Sequence, residues 1–472
     1  MSISKRLKRY ADENFRETLH TTLNPEGPGV VRIHMIPPLC DGDDVEASIV
    51  ILNGQDVIPV NVAWSVILCE FIKEVNKYSG REVSDEEVSR MVENTCKGVR
   101  KVYPLLSKKL IKSDLYDMMN AFKQVAYGEK TDVPIDYISL GDYALYMRAP
   151  HRMDLLVSSM TKEGKWHCNQ QCVHCYAAGQ ELSGEDELTT AQWKQIIDKC
   201  RRAGIPQITF TGGEPTMRED LIDLIDHSQW FITRLNTNGR KLSKEYCEKL
   251  KAASLDSMQI TFYSHDEAIH NKLVGAPGYN DTVNGIKNAL EAGLNISINT
   301  PLCTLNKDYD KTLEFLHDLG VLYVTCSGLI VTGNAEGEDS KKMQLSKDEI
   351  KSILKKAVDY CYNNGMEISF TSPGWVEDAF CKELGITTPS CGACLSNMAV
   401  SPSGNLVPCQ SWLLGETYGN MLDDDWDKMW NSDECRFRRD YSSKNLGICP
   451  LRDKDTVTDK GSLPADKEVL HA

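Results

Sequence analysis

The chain of 472 residues is 41% hydrophobic, carries a net charge of −15 and contains 17 cysteines. This length allows two or three domains with separate cores, and the acidic balance disfavours a surface that binds nucleic-acid phosphates. The first 24 residues lack the apolar stretch of a secretory signal, and no run of 18 apolar residues occurs that could cross a membrane. We therefore expect a cytoplasmic protein without nucleic-acid or membrane partners, whose reduced thiols bind metal.

Residues 28–128 are predicted to form a small domain in which strands precede helices. Val30–Met35 and Ala47–Val60 are rich in β-branched residues, as the strands of a small antiparallel sheet are. Three amphipathic segments with polar or capping residues at their starts follow, beginning near Asn61, Ser84 and Ser113. The polar segment from Glu129 to Pro134 is typical of a linker.

This order of strands and helices resembles the precursor-recognition domain, a small winged-helix-like α+β unit on enzymes that modify ribosomally made peptides. In that domain the leader segment of the precursor adds a strand to an open sheet edge. The resemblance implies that residues 1–130 bind a leader peptide, with the strand near Ile49–Leu52 as the open edge. A docking or dimerisation domain without a peptide site is the alternative.

Three cysteines lie close together between residues 166 and 176, at spacings of four and three: Cys168, Cys172 and Cys175. Soft thiolates in a reducing compartment select zinc or an iron-sulfur cluster. A four-iron cluster normally takes four thiolates, so three leave one iron open. A zinc site completed by His167 or His174 is the alternative.

The C-x3-C-x2-C run resembles the cluster motif of radical S-adenosylmethionine (SAM) enzymes, in which the open iron chelates the amino and carboxylate groups of SAM. The resemblance implies a SAM-binding 4Fe-4S cluster at these three cysteines. It also implies that His174, just before the third cysteine, lies near the adenine, and it adds Tyr176 to the cofactor-binding residues.

A second motif follows about 40 residues later, where the β-branched segment from Ile208 to Thr211 ends in Gly212, Gly213, Glu214 and Pro215. Glycines permit close backbone approach, and proline stops further strand pairing, which leaves polar backbone for a ligand. These residues resemble the GGEP motif with which radical SAM enzymes hold the amino group of SAM. An ordinary strand-to-helix turn is the alternative.

Strand and helix signals alternate from about residue 154 to 345 with a period of roughly 30 residues, the size of one βα unit. The predicted strands are Leu155–Met160, Gln207–Thr211, Phe231–Asn236, Ser257–Tyr263, Asn295–Thr300 and Leu322–Cys326. Six such units form an α/β fold, a partial (β/α)6 TIM-like barrel. Its site is expected at the carboxyl ends of the strands, where both motifs fall.

Two further positions follow the fourth of these strands. In peptide-modifying relatives a serine near this point helps to hold SAM, and the resemblance implies Thr261 as its equivalent. Many relatives also place an arginine where this chain has Val274, which cannot pair with a carboxylate. Lys272 is one candidate to replace that arginine, and the sequence leaves this choice open.

The region after residue 346 contains a third set of cysteines. Cys394, Gly404 and Cys409 follow the C-x9-G-x4-C half of the SPASM extension, which carries auxiliary iron-sulfur clusters in relatives. The second half differs, because Arg452 stands where the next thiolate would be. The resemblance implies one auxiliary 4Fe-4S cluster, with Cys381 and Cys435 in reserve and structural zinc as the alternative. The expected ligands are Cys391, Cys394, Cys409 and Cys449.

The motifs together resemble a radical SAM enzyme with a C-terminal SPASM or twitch-like domain. The expected divisions are residues 1–130, the barrel at 150–345, the cysteine-rich domain at 346–452 and a polar tail at 453–472. The resemblance implies an oxidoreductase-type radical enzyme that takes electrons from a flavodoxin or ferredoxin. It also implies a thioether or carbon-carbon cross-link in a precursor peptide with a leader. Alternatives are sulfatase-maturase-like protein modification, haem or small-molecule tailoring, and a non-catalytic metal scaffold.

Overall fold

The computed structural model describes residues 2–23, 31–37, 40–41, 44–45, 48–53, 56–78, 81–136 and 147–452, so the tail expected after residue 453 lies outside the described residues. The chain divides into two compact units. The first comprises Met1–His151 with Asp198–Gln207 and Trp230–Ile232, and the second comprises Arg152–Ile197, Ile208–Gln229 and Thr233–Ala472. None of the helices within the described ranges is long and apolar enough to cross a membrane.

The N-terminal part of the first unit is a four-stranded antiparallel sheet packed against helices. The four strands of this sheet are β1 (Leu19–Leu23), β2 (Val31–Ile36), β5 (Ser48–Leu52) and β6 (Asp56–Val60), and a separate pair of short strands comprises β3 (Cys40–Asp41) and β4 (Asp44–Val45). Its helices are α1 (Ile3–Asn14), α2 (Val62–Val75), α3 (Asp85–Val102) and α4 (Lys108–Ala126). The main sheet has the order β1-β2-β5-β6, and β3 pairs with β4. Ile33, Val50, Ile67, Val99 and Phe122 belong to the single core that joins sheet and helices.

The helices begin where polar side chains satisfy their first N–H groups. The Asn61 side chain accepts a hydrogen bond from the Trp64 N–H at 2.9 Å, and Ser84 forms a capping box with Glu87. Ser107 accepts from the Leu110 N–H at 3.2 Å, so α4 begins earlier than the start predicted near Ser113. The lysines of its first turn are exposed and hide the apolar periodicity there.

The position of β5 contradicts the expectation that the strand near Ile49–Leu52 is the open edge. β5 lies between β2 and β6, and all five of its residues are buried. β6 is an edge of this sheet within the described residues, and it includes Pro59, which has no N–H to donate. At the opposite edge, the Asn76 side chain donates to the His20 carbonyl of β1 at 2.8 Å. A strand that paired with β6 would therefore find no backbone N–H at Pro59, and so one hydrogen-bond donor fewer than at an edge without proline.

The rest of the chain alternates strands and helices around one long sheet. The strands are β7 (Arg152–Ser158), β8 (Thr161–Lys162), β9 (Lys165–Trp166), β10 (Gln207–Gly212), β11 (Ile232–Thr237), β12 (Ser257–Thr261), β13 (Ile296–Pro301), β14 (Tyr323–Ser327), β15 (Glu367–Phe370), β16 (Asn397–Val400) and β17 (Leu406–Val407). The helices are α5 (Thr190–Ala203), α6 (Leu221–His227), α7 (Lys244–Ala252), α8 (Glu267–Val274), α9 (Tyr279–Glu291), α10 (Tyr309–Asp318), α11 (Glu338–Lys342), α12 (Lys347–Asn363), α13 (Asp378–Leu384), α14 (Trp426–Trp430) and α15 (Asp433–Lys444).

The nine-stranded sheet confirms the expected mixed α/β fold with a central parallel sheet. Its order is β15-β14-β13-β12-β11-β10-β7-β16-β17. Strands β11 to β15 pair in parallel, β16 is parallel to β7, and β17 returns antiparallel to β16. The six predicted strands correspond to β7 and β10–β14. The strands β15 to β17, which lie beyond residue 345, extend the same sheet at both of its ends.

The inner face of this sheet is polar. Along β12, Met258 and Ile260 are buried, whereas the alternate residues Gln259 and Thr261 are only partly buried. The Gln259 side chain donates to the Thr325 hydroxyl at 3.2 Å, and this hydroxyl donates to the Asn299 side chain at 3.0 Å. These contacts across three neighbouring strands show that the polar positions share one face, as the period of two requires.

A proline at Val50 tests the interior position of β5. Val50 pairs with Met35 of β2 and Ile58 of β6, so the proline removes a donor from a buried ladder. We expect a loss of about 1–3 kcal/mol of local stability, measured as faster hydrogen-deuterium exchange in peptides that span β2, β5 and β6. Val50→Ala, which keeps the N–H, is the matched control. Equal exchange in the two variants would contradict this strand order.

Candidate active site

The three-cysteine loop follows β9 and lies beside the ends of β7 and β10. The Cys168 sulfur lies 3.4 Å from the Gly213 carbonyl, and the Cys172 sulfur lies 3.8 Å from the Gln170 side-chain oxygen. Burial, with the nearby charges of Glu214 and Cys175, raises the pKa of the Cys168 thiol to about 12. Burial and the other two thiols also raise the pKa of Cys172. Three partly buried thiols at one place are costly to ionise without a bound cation.

The chemistry of this donor set suits an iron-sulfur cluster. Thiolates are the ligands of such clusters, and a four-iron cluster distributes its anchoring sulfurs over separate irons. Among the described residues, no three His, Cys, Asp or Glu side chains meet the geometry of a single-ion site. His167 Nε2, which the zinc alternative would use, lies 3.8 Å from a Glu187 carboxylate oxygen.

His174 points into the protein from the same loop. Its ring lies 5.1 Å from the Tyr263 ring, and neither ring nitrogen has a hydrogen-bond partner among the described residues. Burial lowers the pKa of His174 to about 4, so the ring is neutral at pH 7. A buried ring with two unsatisfied nitrogens can bind the polar edge of a planar ligand such as adenine.

Gly212 and Gly213 allow the end of β10 to approach β7. Gly212 has φ +132°, and a Cβ atom there would lie 2.3 Å from the Ser158 carbonyl oxygen. The Gly213 N–H donates to that same carbonyl at 2.7 Å. Only glycine combines this backbone conformation with this approach.

The Glu214 carboxylate is buried and tied to the ends of two strands. One of its oxygens accepts from the Thr216 N–H at 3.0 Å, the Thr216 hydroxyl at 2.5 Å and the Thr237 hydroxyl at 2.7 Å. The other oxygen accepts from the Asn238 N–H at 2.8 Å. Burial raises the pKa of Glu214, while these donors oppose the rise. The second oxygen, with a single donor, has more capacity for a further bond. Pro215 begins the short turn that follows.

Sequence reasoning missed Arg240. Its guanidinium donates to the Asn169 carbonyl at 2.5 Å, pairs with Asp281 at 2.9 Å and lowers the pKa of Cys168 against the effect of burial. Arg240 follows the Thr237-Asn238-Gly239 turn after β11, and that turn is the only sequence signal for it. Lys272, the earlier candidate for a cationic role, is exposed.

The remaining expected cofactor residues lie near the same strand ends. Thr261 is the last residue of β12, where it pairs in register with Asn299. Val274 ends α8, and its carbonyl accepts from the Gln171 N–H at 2.9 Å, which supports the cysteine loop. Tyr176 is partly buried, and burial raises the pKa of its hydroxyl while Thr211 on β10 opposes the rise.

The C-terminal cysteines form two groups. Burial raises the pKa of Cys391 to about 11, and Cys449 contributes to the rise. Burial also raises the pKa of Cys409, with contributions from both Cys391 and Cys449. Cys394 is fully buried, and burial together with the neighbouring Cys435 raises the pKa of its thiol. Arg439 donates to the Cys435 sulfur at 3.7 Å. The structure thus brings together three of the four expected auxiliary ligands and pairs the fourth with a reserve cysteine.

Both cysteine regions pack against one another around β7. Leu156 of β7, Val407 of β17 and Leu413 form a cluster with Cys175 and Tyr176 packed against it. The Leu182 N–H donates to the Leu413 carbonyl at 3.0 Å, and the Gln180 side chain donates to the Ser411 carbonyl at 3.0 Å. A substrate between the two regions would meet residues from both.

Comparisons with known proteins agree with these motifs. Residues 167–319 match the Radical SAM superfamily, and residues 391–451 match SPASM, an iron-sulfur cluster-binding domain. The chain is 32% identical over 168 residues to Fe-coproporphyrin III synthase of Methanosarcina barkeri, across 35% of this chain and 40% of that relative. It is 28% identical over 313 residues to AdoMet-dependent heme synthase of the same organism, across 60% of this chain and 86% of the relative.

Solved structures share the fold. Streptococcus suis SuiB bound to precursor peptide SuiA superposes with a TM-score of 0.55 and 14% identity, over 83% of this chain and 87% of SuiB. Native anSMEcpe with bound AdoMet superposes with a TM-score of 0.50 and 16% identity, over 62% of this chain and 83% of that chain. The fold is therefore the radical SAM fold with a C-terminal SPASM domain, which implies a 4Fe-4S cluster, SAM and auxiliary iron-sulfur binding.

Gly212→Ala tests the close contact between β7 and β10. The added methyl group would collide with the Ser158 carbonyl, and we expect both a lower melting temperature and less bound iron after anaerobic reconstitution. Strain of this kind costs about 1–3 kcal/mol. Gly179→Ala is the matched control, because Gly179 also has positive φ but a Cβ there meets nothing within 4 Å. Equal losses in both variants would show that the collision is unimportant.

Proposed function

The chain contains a radical SAM domain followed by a SPASM domain, and we propose that it modifies a ribosomally synthesised precursor peptide by installing a thioether or carbon-carbon cross-link. The observation that carries this proposal is the N-terminal sheet-and-helix domain. Residues 152–472 make up about two thirds of the chain, so the likeness to SuiB over 83% of the chain includes part of that domain. The SuiB structure contains the precursor peptide SuiA.

In this proposal the loop cysteines hold the SAM-binding cluster: Cys168, Cys172 and Cys175. With the cluster and SAM bound, the site would supply one-electron cleavage of the SAM sulfur-carbon bond, with methionine as the other product, and hydrogen-atom abstraction from the substrate. The protein binds the cofactor and the substrate, orients them and excludes water from the site. The Glu214 oxygen with one donor and the backbone of Gly212 and Gly213 are suited to the SAM ammonium. His174 is suited to the adenine edge.

The C-terminal cysteines hold one auxiliary 4Fe-4S cluster in this proposal. Cys449 contributes to the raised pKa of both Cys391 and Cys409, and Cys391 contributes to that of Cys409, which supports the three as a common ligand set. Cys394 remains the expected fourth ligand, and the neighbouring Cys435 is the reserve cysteine beside it. The electron donor is a flavodoxin or ferredoxin, since the chemistry consumes one electron at a time.

Tailoring of a haem-type small molecule is the second candidate. The heme synthase of Methanosarcina barkeri aligns over 86% of its length, which is the observation in favour. That alignment covers 60% of this chain, so much of the chain has no counterpart in it. The N-terminal domain gives the peptide proposal its advantage.

Replacing the three loop cysteines by alanine tests the cluster assignment. We expect the triple variant to release no 5′-deoxyadenosine from SAM under dithionite, because no thiolate remains to hold the reducing cluster. Wild type should bind roughly eight irons per chain and the variant about four, the auxiliary set. Release of 5′-deoxyadenosine by the reconstituted variant would contradict the assignment of these cysteines to the SAM-binding cluster. Zinc in place of the four auxiliary irons would favour a structural metal site at the C-terminal cysteines.

The edge strand β6 supplies the test of peptide recognition. Pro59 has no N–H, so it fits where its backbone faces away from β5, and Val57, two residues earlier, has the same orientation. Val57 would then provide an N–H for an added strand. We predict that Val57→Pro in the full-length enzyme weakens binding of a labelled leader peptide about tenfold and leaves peptide-free SAM cleavage unchanged.

Val57→Ala is the control for this variant, since it shortens the side chain but keeps the donor. Equal weakening by both substitutions would point to side-chain packing as the cause. Unchanged leader binding in Val57→Pro, with full modification of the precursor, would return the domain to a docking or dimerisation role.

A further inference from the structure

One arginine on the inner face of the barrel has no visible partner. Arg234 is the third residue of β11 and alternates with Thr233 and Leu235, which are both fully buried. It is partly buried, and its side chain makes no hydrogen bond or ion pair within 4 Å in the part of the chain that the structure describes. Partial removal from water and the charge of Arg152 lower the pKa of Arg234, although the guanidinium stays ionised at pH 7.

The nearest carboxylate is already engaged. Asp154 lies on the inner face of β7 and is almost fully buried, and its oxygen is 2.8 Å from the Arg152 guanidinium. Arg234 lies on β11, two strands from β7 in the sheet order, and the charges of Arg152 and Asp154 both act on its guanidinium. The three residues therefore leave one positive charge in excess inside the barrel. Because Arg234 is only partly buried and Asp154 is already paired with Arg152, the Arg234 guanidinium is free to pair with a ligand that enters the barrel.

The same region connects the two cysteine sites. Asp154 pairs in register with Ala399 of β16, and Ala399 belongs with Val407 to the apolar cluster against which Cys175 and Tyr176 pack. Arg234 lies three residues before Thr237, whose hydroxyl binds Glu214, so it is about 10 Å below the expected SAM site at 3.3 Å per residue. A substrate that reaches the radical from within the barrel would pass this guanidinium.

We propose that Arg234 anchors a carboxylate of the substrate inside the barrel. Arginine presents paired N–H donors that match a carboxylate with two parallel bonds, and a water-poor setting strengthens them. Under the peptide function proposed above, on which this inference rests, the carboxylate is an acidic side chain near the modified residue. The propionates of a tetrapyrrole have the same chemistry and belong to the second candidate.

The test measures binding to the anaerobically reconstituted holoenzyme with three probes. N-acetylglutamate methylamide and its isostere N-acetylglutamine methylamide are titrated by saturation-transfer NMR, and iron coproporphyrin III is titrated by absorbance. The variants are Arg234→Gln, Arg234→Lys and the control Arg202→Gln, an exposed arginine on α5. We expect wild type to prefer the glutamate probe at least tenfold, Arg234→Gln to lose this preference, Arg234→Lys to keep part of it and Arg202→Gln to keep all of it.

A second readout separates ligand binding from a structural role. Loss of an uncompensated charge should leave the melting temperature of Arg234→Gln equal to or above that of wild type, whereas a structural arginine would lower it. Equal binding of the glutamate and glutamine probes to wild type, absence of binding by every probe, or a preference that survives Arg234→Gln would overturn the proposal. Should Arg234→Gln fail to fold, that too would count as a structural role.

The remaining outcome separates this proposal from the peptide function. If only iron coproporphyrin III binds in an Arg234-dependent way, the carboxylate site stands and the peptide function fails. If the glutamate preference depends on Arg234 but no precursor is modified, the site again stands without that function.

Discussion

The buried Glu214 carboxylate is the contact on which the active-site geometry depends. It accepts four hydrogen bonds from the turn after β10 and the end of β11, and these bonds offset its removal from water. The Asn238 side chain then donates to Asn169 at 2.6 Å, directly after the first cysteine of the loop. Arg240 holds the carbonyl of the same asparagine. One carboxylate thereby sets the relative position of two motifs that are 40 residues apart.

This arrangement explains which parts of the fold the sequence could predict. The barrel strands alternate with helices that end in glycine, and both signals are local, so β7 and β10–β14 were predicted to within a few residues. The order of strands in the N-terminal sheet is a long-range property. Ser48–Leu52 is nevertheless apolar at every position after its first residue, and such a run is typical of a strand covered on both faces. That signal identifies an interior strand, and the prediction of an open edge overlooked it.

The site was predictable where its residues are neighbours in the chain. Three cysteines within eight positions, or two glycines before a glutamate, indicate their chemistry without knowledge of the fold. Arg240 and the Cys394–Cys435 contact depend on turns and helix packing that bring distant segments together. Charged residues such as Arg234 are common on strands, and only the alternation along the folded strand shows that this one faces inward.

The inner face of β12–β14 carries partly buried polar side chains. Barrels whose centres serve as cores are filled by layers of branched apolar side chains. Here the corresponding positions include Gln259, Asn299 and Thr325, whose mutual hydrogen bonds satisfy part of their polar groups, together with an arginine that they do not satisfy. A polar lining of this kind stabilises the fold less than an apolar core does, since each buried group needs a partner. Under the proposed function, a bound substrate would supply the partners that these polar groups lack. This requirement would favour substrates with matching polar groups.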